Sequence, residues 1–153
     1  MQFRLYQPAD FAQLYAIEEV CFEPPLRFGR RYMHQRIASP NSATWIAEED
    51  GRLAGFAIVE WTLEPDHSAA YIQTLEVSPE HRRRGVGLEL LRRLEGSAIE
   101  AGATLIWLHV DVENESAIRL YRAEGYQQKG RHENYYARHR PAEIYLKQLV
   151  AIV

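Results

Sequence analysis

The first 38 residues contain two kinds of apolar spacing. Residues 2–6 alternate polar and apolar side chains, as a strand with one buried face does. From Pro8, apolar residues recur at helical spacing as far as Val20, and Glu23-Pro24-Pro25 ends the predicted helix because proline lacks an amide donor. A second helical pattern covers residues 30–38. A strand and two helices joined by a proline-bearing loop are therefore predicted.

The middle of the chain has the pattern of consecutive strands. Residues 44–47 and 53–63 are rich in β-branched, aromatic and small apolar side chains, and Glu49-Asp50-Gly51 between them predicts a hairpin turn. Residues 65–68 carry the next turn signal, and residues 70–77 predict another strand. Three strands in succession are thus expected.

Helical spacing returns after residue 85 in a long amphipathic segment that Gly102 ends. Residues 105–110 then predict a strand, residues 114–124 a second amphipathic helix, and residues 143–150 a last strand. The order βααβββαβαβ predicts an α/β fold in which a mixed sheet carries helices on its faces.

Composition and charge narrow the class of protein. The 153 residues, 46% hydrophobic and 25% charged, suit one domain that covers residues 1–153. The net charge of −3 argues against a nucleic-acid partner, and no apolar run approaches the roughly 20 residues that cross a membrane. Cys21 is the only cysteine, so no internal disulfide is possible. We expect a buried structural thiol and a cytoplasmic protein.

The segment Arg82-Arg83-Arg84-Gly85-Val86-Gly87-Leu88 joins a predicted strand to the long helix. Free amides at a helix N-terminus attract anions, glycines let phosphate oxygens approach the backbone, and arginines add charge. The segment therefore suits a pyrophosphate, although a solvated turn would also explain it. It matches neither a nucleoside-triphosphate P-loop nor a dinucleotide fingerprint.

Three ordered motifs resemble the GNAT acetyltransferase superfamily. The segment from Arg82 to Gly87 fits R/Q-x-x-G-x-G/A, and the segment from Asn114 to Tyr126 fits N-x-x-A-x-x-L-Y-x-x-x-G-F/Y. Asn134-Tyr135-Tyr136 resembles a motif of N-terminal protein acetyltransferases, both the RimI type and the NatE catalytic-subunit type. The resemblance implies a three-layer fold with a sheet that is splayed between its fourth and fifth strands.

The resemblance implies an N-acetyltransferase that moves the acetyl group of acetyl-CoA to a primary amine by direct attack, without a metal. The amides of Leu75 and Val77 would bind pantetheine or polarise the acetyl carbonyl, and residues 82–88 would hold the pyrophosphate. Asn114 would contact the cofactor or cap its helix. Tyr121 matches the tyrosine that protonates the departing thiolate, with a core aromatic as the alternative.

The amine side departs from part of the family. Many members carry a glutamate base where this chain has Gln73, which cannot accept a proton, and RimI-type enzymes carry one where it has His109. The NatE type pairs a strand tyrosine with a strand histidine, and this resemblance assigns Tyr71 and His109 as a water-linked base. Glu76 is a second candidate base, and His109 would otherwise be a core histidine. A histidine suits an α-amine better than the more basic lysine amine.

Two loops are expected to hold the acceptor. By resemblance, Tyr135 and Tyr136 form one wall, although a hairpin with paired aromatics would also explain them, and Phe22, Pro24 and Pro25 form the other. A peptide N-terminus is the expected acceptor. A polyamine, amino acid or aminoglycoside is the alternative acceptor. Four carboxylates could serve such a cationic substrate, unless they are simply solvated: Glu18, Glu19, Glu23 and Glu76. A non-catalytic acyl-CoA-binding module is a further alternative for the function. The sequence is compatible with a monomer and with a homodimer.

Overall fold

The computed structural model describes residues 1–65 and 67–149, so Asp66 in the predicted turn and Val150 in the last predicted strand lie outside the described residues. The strands are β1 (Gln2–Leu5), β2 (Ser42–Glu49), β3 (Arg52–Glu64), β4 (His67–Val77), β5 (Leu105–Asp111), β6 (Gln127–Ala137) and β7 (Arg140–Gln148). The α-helices are α1 (Phe11–Cys21), α2 (Arg30–Ala38), α3 (Val86–Ala101) and α4 (Glu115–Ala123), and 3-10 turns cover Pro8–Asp10 and Pro79–His81.

The strands form one mixed sheet in the order β1-β2-β3-β4-β5-β7-β6. Neighbouring strands are antiparallel except β4 and β5, which run parallel because the chain crosses over through α3 between them. These two strands pair only from Ala69 opposite Leu105 to Ile72 opposite Leu108, and then separate. The predicted mixed sheet and its splay between the fourth and fifth strands are therefore confirmed.

Helices cover both faces of the sheet, as predicted for three layers. One apolar cluster joins α3 and α4 to the sheet and includes Leu90, Leu94 and Ile106. A second cluster lies under α1 and α2, where Leu14 and Met33 pack on the sheet. Each helix is held mainly by burial of this apolar stripe, which contributes roughly 1.5–3 kcal/mol for each fully buried large side chain.

A β-bulge in β4 changes which side chains face each layer. Ile58 of β3 lies opposite Thr74, but its neighbour Val59 lies opposite Ile72, so Gln73 is an extra residue. Because side chains alternate along a strand, this insertion reverses the alternation beyond it. Ile72 and Leu75 consequently both pack in the cluster of α3, and the residues at 74 and 76 face α1.

The predicted order of elements is wrong between α4 and the last strand, because it lacks the strand β6. Its side chains are mostly exposed, and its sequence, QQKGRHENYYA, lacks a regular apolar alternation. It is an edge strand that pairs with β7, with register shifts that include one between His132 and Ala137. Backbone pairing holds such a strand without a buried face, so the hydrophobic pattern does not indicate it.

Candidate active site

A cleft with about 80 Å³ of free volume lies where β4 and β5 separate. Its walls come from both strands, from the loop between α1 and α2, from α4 and from β6. The predicted site residues that line this cleft are Phe22, Leu75, His109, Asn114, Tyr121 and Tyr136. The cleft is therefore the place where the predicted amine side and the predicted cofactor side meet.

Tyr71 and His109 are brought together as predicted. Tyr71 pairs with Trp107 on the neighbouring strand, two residues before His109, so the two side chains lie on the same face. The Tyr71 hydroxyl oxygen lies 2.8 Å from Nδ1 of His109. Burial raises the pKa of Tyr71, and the phenol stays protonated at neutral pH. Burial, and then the charge of His132, lowers the pKa of His109, which is therefore a neutral imidazole at neutral pH.

The segment Asn134-Tyr135-Tyr136 covers this pair. Asn134 has φ 54°, and its side-chain oxygen accepts a hydrogen bond from the amide of His139 at 2.7 Å, which closes the hairpin between β6 and β7. Tyr135 stacks on His109 with 4.1 Å between ring centroids and 11° between planes. Tyr135 also packs edge-on against Tyr136, so the aromatic pair stabilises the hairpin as well as the cleft.

A second histidine, which the sequence did not single out, stands beside this group. The ring of His132 lies 5.6 Å from that of His109 and 4.9 Å from that of Tyr135. His132 belongs to β6. Because the predicted order lacked that strand, nothing in the sequence indicated that His132 lies near the cleft. Its proximity matters because a like charge disfavours protonation of its neighbour.

Tyr121 is buried at the other side of the cleft. Burial raises the pKa of Tyr121, so the phenol carries its proton at neutral pH. Its hydroxyl makes no hydrogen bond to the residues that the structure describes. Asn114 caps α4 by accepting a hydrogen bond from the amide of Ala117 at 3.3 Å. That confirms the capping role, while contact with a cofactor remains a prediction.

The predicted pyrophosphate segment forms the N-terminus of α3. Gly85 has φ 79°, a left-handed conformation that favours glycine, and a side chain added there would meet open space. A Cβ at Gly87 would contact Leu120, Leu75 and Val77 at 3.5–3.7 Å. The first turn of α3 is thus open at Gly85 and packed on β4 at Gly87. Val86 is buried and Leu88 is half-buried, so these two residues anchor the turn.

The three arginines are not equivalent. Arg82 donates to the carbonyl of Val77 at 3.0 Å, and its Nη2 lies 3.3 Å from Sγ of Cys21, which is half-buried. Arg84 forms a bidentate ion pair with Glu49 at 2.7 and 3.0 Å. Arg83 forms no ion pair within the described part of the chain. The guanidinium of Arg83 is therefore the most available to a phosphate. Arg82 and Arg84 would have to give up their present partners to bind one.

Glu76, the second candidate base, is unsuited to that role. Its side chain is 3% exposed, and Oε2 accepts a hydrogen bond from the Thr74 hydroxyl at 2.6 Å. Burial, followed by the hydrogen bond and charge of Glu18, raises the pKa of Glu76 well above its usual range. The raised pKa favours the protonated form of the carboxyl, and its burial keeps it away from an acceptor amine. Glu18 is fully buried as well, so the alternative in which it is simply a solvated residue of a charged helix face does not apply to it.

The loop between α1 and α2 reaches the cleft by side chains other than its prolines. Phe22 lines the cleft as predicted, but Pro24 and Pro25 do not, and Leu26 and Phe28 do. The backbone of Phe28 is held at both ends, since its amide donates to Glu18 and its carbonyl accepts from the Tyr15 hydroxyl. These long-range contacts were not visible in the sequence.

Within residues 1–65 and 67–149, no group of three or more His, Cys, Asp or Glu side chains is arranged to hold a metal ion. In the same residues, no helix is long and apolar enough to span a bilayer. The splayed parallel strands, the open helix N-terminus and the tyrosine and histidine in the cleft define a site of the acyltransferase class. The description "Acetyltransferase (GNAT) family" applies to a family profile that matches residues 11–126, and the chain belongs to this family.

Individual relatives agree with this assignment. The chain is 39% identical over 87 residues to the streptothricin acetyltransferase of Streptomyces lavendulae, covering 56% of this chain and 45% of that one. It is 32% identical over 108 residues to the ribosomal protein bS18-alanine N-acetyltransferase of Escherichia coli strain K12, covering 71% and 64%. The chain thus spans less than two thirds of either relative.

The fold is also similar to that of a solved structure. The crystal structure of Arabidopsis thaliana NAA60 in complex with acetyl-CoA superposes with a TM-score of 0.85 and 21% sequence identity, covering 97% of this chain and 98% of that one. At this identity the similarity establishes the fold.

Proposed function

We propose that this protein transfers the acetyl group of acetyl-CoA to the α-amine of a peptide or protein N-terminus, in the cytoplasm. The observation that carries the proposal is the contact of 2.8 Å between the Tyr71 hydroxyl and Nδ1 of His109. This contact lies where β4 and β5 separate, beside the cleft that Tyr121 lines. A base and an acid thus stand on the two sides of one opening.

The cofactor side would bind acetyl-CoA along β4 and α3. The amides of Leu75 and Val77 lie beyond the last pair of β4 with β5, where a pantetheine chain can accept and donate hydrogen bonds. Residues 82–88 would hold the pyrophosphate at the N-terminus of α3, with Arg83 as the first guanidinium to reach it. Asn114 would contact the cofactor from the start of α4.

The amine side would remove one proton from the acceptor. Nδ1 of His109 is engaged by Tyr71, so Nε2 is the nitrogen that accepts the amine proton through a water molecule. In that state Nδ1–H donates to the Tyr71 oxygen, and the Tyr71 hydroxyl donates towards Tyr135, whose oxygen lies 3.5 Å away. Tyr71 therefore fixes the tautomer and the orientation of the base.

The transfer itself would need no covalent enzyme intermediate. The neutral amine attacks the thioester carbonyl, the new N–C bond forms, and the C–S bond breaks with its electrons left on sulfur. Tyr121 then gives its proton to the thiolate, and the second proton of the amine nitrogen, lost as the amide forms, passes through water to the Tyr121 phenolate and restores the phenol. Burial makes Tyr121 a weaker acid than a free phenol, and the same burial makes the thiolate a stronger base, so the proton transfer stays favourable.

An α-amine fits this base better than a lysine amine. An α-amine needs about 1 kcal/mol to lose its proton at neutral pH, against more than 4 kcal/mol for lysine, from the ordinary pKa values of about 7.7–8.0 and 10.4. Phe22 and Tyr136 both line the cleft and would hold the backbone of the first residues. The relative from E. coli, named for the alanine of a ribosomal protein, supports this acceptor class.

The deciding experiment measures release of free thiol from acetyl-CoA with matched acceptors. One peptide is offered with a free N-terminus, and again with the N-terminus blocked and one lysine present. Polyamines, amino acids and aminoglycosides complete the panel, because the relative from Streptomyces lavendulae is named for an antibiotic substrate. Reaction at free N-termini supports the proposal. Reaction only with blocked lysine peptides or only with small amines rejects the acceptor class.

A further inference from the structure

Two glutamate side chains lie within hydrogen-bonding reach of each other at the cleft, although glutamates are ordinarily solvated charges. Glu18 of α1 is 0% exposed and Glu76 of β4 is 3% exposed. Each has one carboxylate oxygen, Oε1, that is buried without a hydrogen-bond partner when both groups are taken as ionised. Two neighbouring buried anions, each with an unpaired oxygen, would be strongly destabilising.

One proton satisfies every oxygen of this pair. Oε2 of Glu18 accepts from the amide of Phe28 at 3.0 Å, and Oε2 of Glu76 accepts from the Thr74 hydroxyl at 2.6 Å. A proton on Oε1 of Glu76, donated to Oε1 of Glu18, then fills the two remaining positions. Burial and the adjoining Glu18 also raise the pKa of Glu76, in agreement with this arrangement.

The contacts of the pair reach both sides of the site. Glu18 holds Phe28, in the loop that forms the acceptor wall, and Glu18 itself lines the cleft. Glu76 stands in β4 between Leu75 and Val77, whose amides are the proposed pantetheine ligands. The bulge at Gln73 is what turns Glu76 towards α1. We propose that Glu18 and Glu76 share one proton and act as positioning residues that lock the acceptor wall, residues 22–29, to the cofactor strand.

This inference rests on the proposed function for its kinetic consequence but not for its chemistry. Infrared spectroscopy in heavy water tests the shared proton directly, because a protonated carboxyl absorbs above the amide band. The band is expected at neutral pD in the wild type and should be absent from Glu76→Gln, whose amide can donate to Glu18 in place of the proton. Glu19→Gln, an exposed neighbour on α1, is the matched control and should keep the band. Absence of the band from the wild type, or its survival in Glu76→Gln, overturns the shared proton.

Steady-state kinetics test the positioning role of the pair. Glu18→Ala leaves the Phe28 amide unpaired and should raise the KM for a peptide acceptor about tenfold or more, with the Kd for acetyl-CoA within about twofold. Glu19→Ala, at an exposed position on α1, is the matched control and should retain the wild-type peptide KM. Glu76→Ala breaks the same pair from β4 and should also raise the peptide KM, so it tests the positioning role if Glu18→Ala does not fold. Equal weakening of both ligands in Glu18→Ala, or an unchanged peptide KM, overturns the positioning role. If no peptide is a substrate, the proposed function fails while the infrared result still decides the proton.

Discussion

The Tyr71 hydroxyl lies 2.8 Å from Nδ1 of His109, although 38 residues separate the two in sequence. The contact exists because β4 and β5 are parallel neighbours and pair up to Ile72 and Leu108 before they separate. A crossover through α3 therefore places a residue from each strand at the mouth of the splay. The chemistry expected of this pair leads to the first prediction.

Replacing His109 by alanine should lower kcat/KM for a peptide about 10²-fold at pH 7, the ordinary scale for loss of a general base. Raising the pH should recover part of the loss by deprotonating the amine in solution. Since burial lowers the pKa of His109, the acidic limb of the wild-type profile should follow the acceptor amine when peptides of different amine pKa are compared. His67→Ala, at the far end of β4, is the control. Wild-type activity in His109→Ala would remove His109 from the mechanism.

His132 should lower the pKa of His109. His132→Gln removes the like charge beside it, so the pKa of His109, followed by NMR titration of the ring, should rise towards its usual value. Burial remains in the variant, and the recovery should therefore be partial. His67→Gln should leave the titration of His109 where it is in the wild type. An unmoved or lowered pKa in His132→Gln would show that the two rings do not interact electrostatically.

Tyr121→Phe should reduce kcat tenfold or more while the Kd for coenzyme A changes little, because only the proton donor to the thiolate is lost. Tyr126→Phe is a matched control outside the cleft. Its hydroxyl donates to Glu95 at 2.7 Å, so this variant should lose roughly 1–3 kcal/mol of stability and keep its turnover. Wild-type kcat in Tyr121→Phe with an efficient acceptor would contradict the role of acid.

Acetyl-CoA should stabilise the fold through the N-terminus of α3. At a concentration of 100 times Kd the midpoint of thermal unfolding should rise by about 5–10 °C. Gly85→Asp and Gly87→Asp should abolish this rise, since each sets a negative charge against the pyrophosphate. Gly96→Asp, an exposed position later in α3, should preserve it. Folded Gly85 and Gly87 variants that bind with unaltered affinity would place the pyrophosphate elsewhere.

The Glu18 and Glu76 pair should also set how stability depends on pH. The pKa of Glu76 is raised in the folded state, so this group costs no stability below the unfolded value of about 4.3 and destabilises the fold increasingly as the pH rises above it. Glu18 and Cys21 are the titratable groups that face it, with Arg82 on the Cys21 sulfur. Glu76→Gln should therefore gain stability relative to the wild type between pH 5 and pH 8 in denaturant titrations. A constant difference across that range would contradict the shared proton.

The sequence predicted those parts of the molecule that have a regular apolar period or a dense local motif. The predicted span of α2, residues 30–38, agrees with the structure, and the long helix after Gly85 lies within one residue of its predicted ends. Tyr71 and His109 were paired through a family resemblance, and the geometry brings them together. The turn signal at Glu49-Asp50-Gly51 was sufficient to place a hairpin.

The features that the sequence did not predict depend on contacts between distant segments. The strand β6 carries no apolar period, so its His132 could not be placed beside His109. The bulge at Gln73 is a mismatch between two strands and is not a property of either one alone. Glu18 has the local pattern of an exposed helical residue, and its burial follows only from the loop and strand that close over it.

The separation of β4 and β5 also affects how rigid the sheet is during a reaction cycle. The ladder between them stops at Ile72 and Leu108, so the amides of Leu75 and Val77 have no neighbouring strand on that side. Pantetheine in the gap would supply the missing partners, and these amides should then exchange their hydrogens with solvent more slowly. The protein would thus complete its sheet with a molecule that it consumes, and the centre of the fold would loosen each time coenzyme A departs.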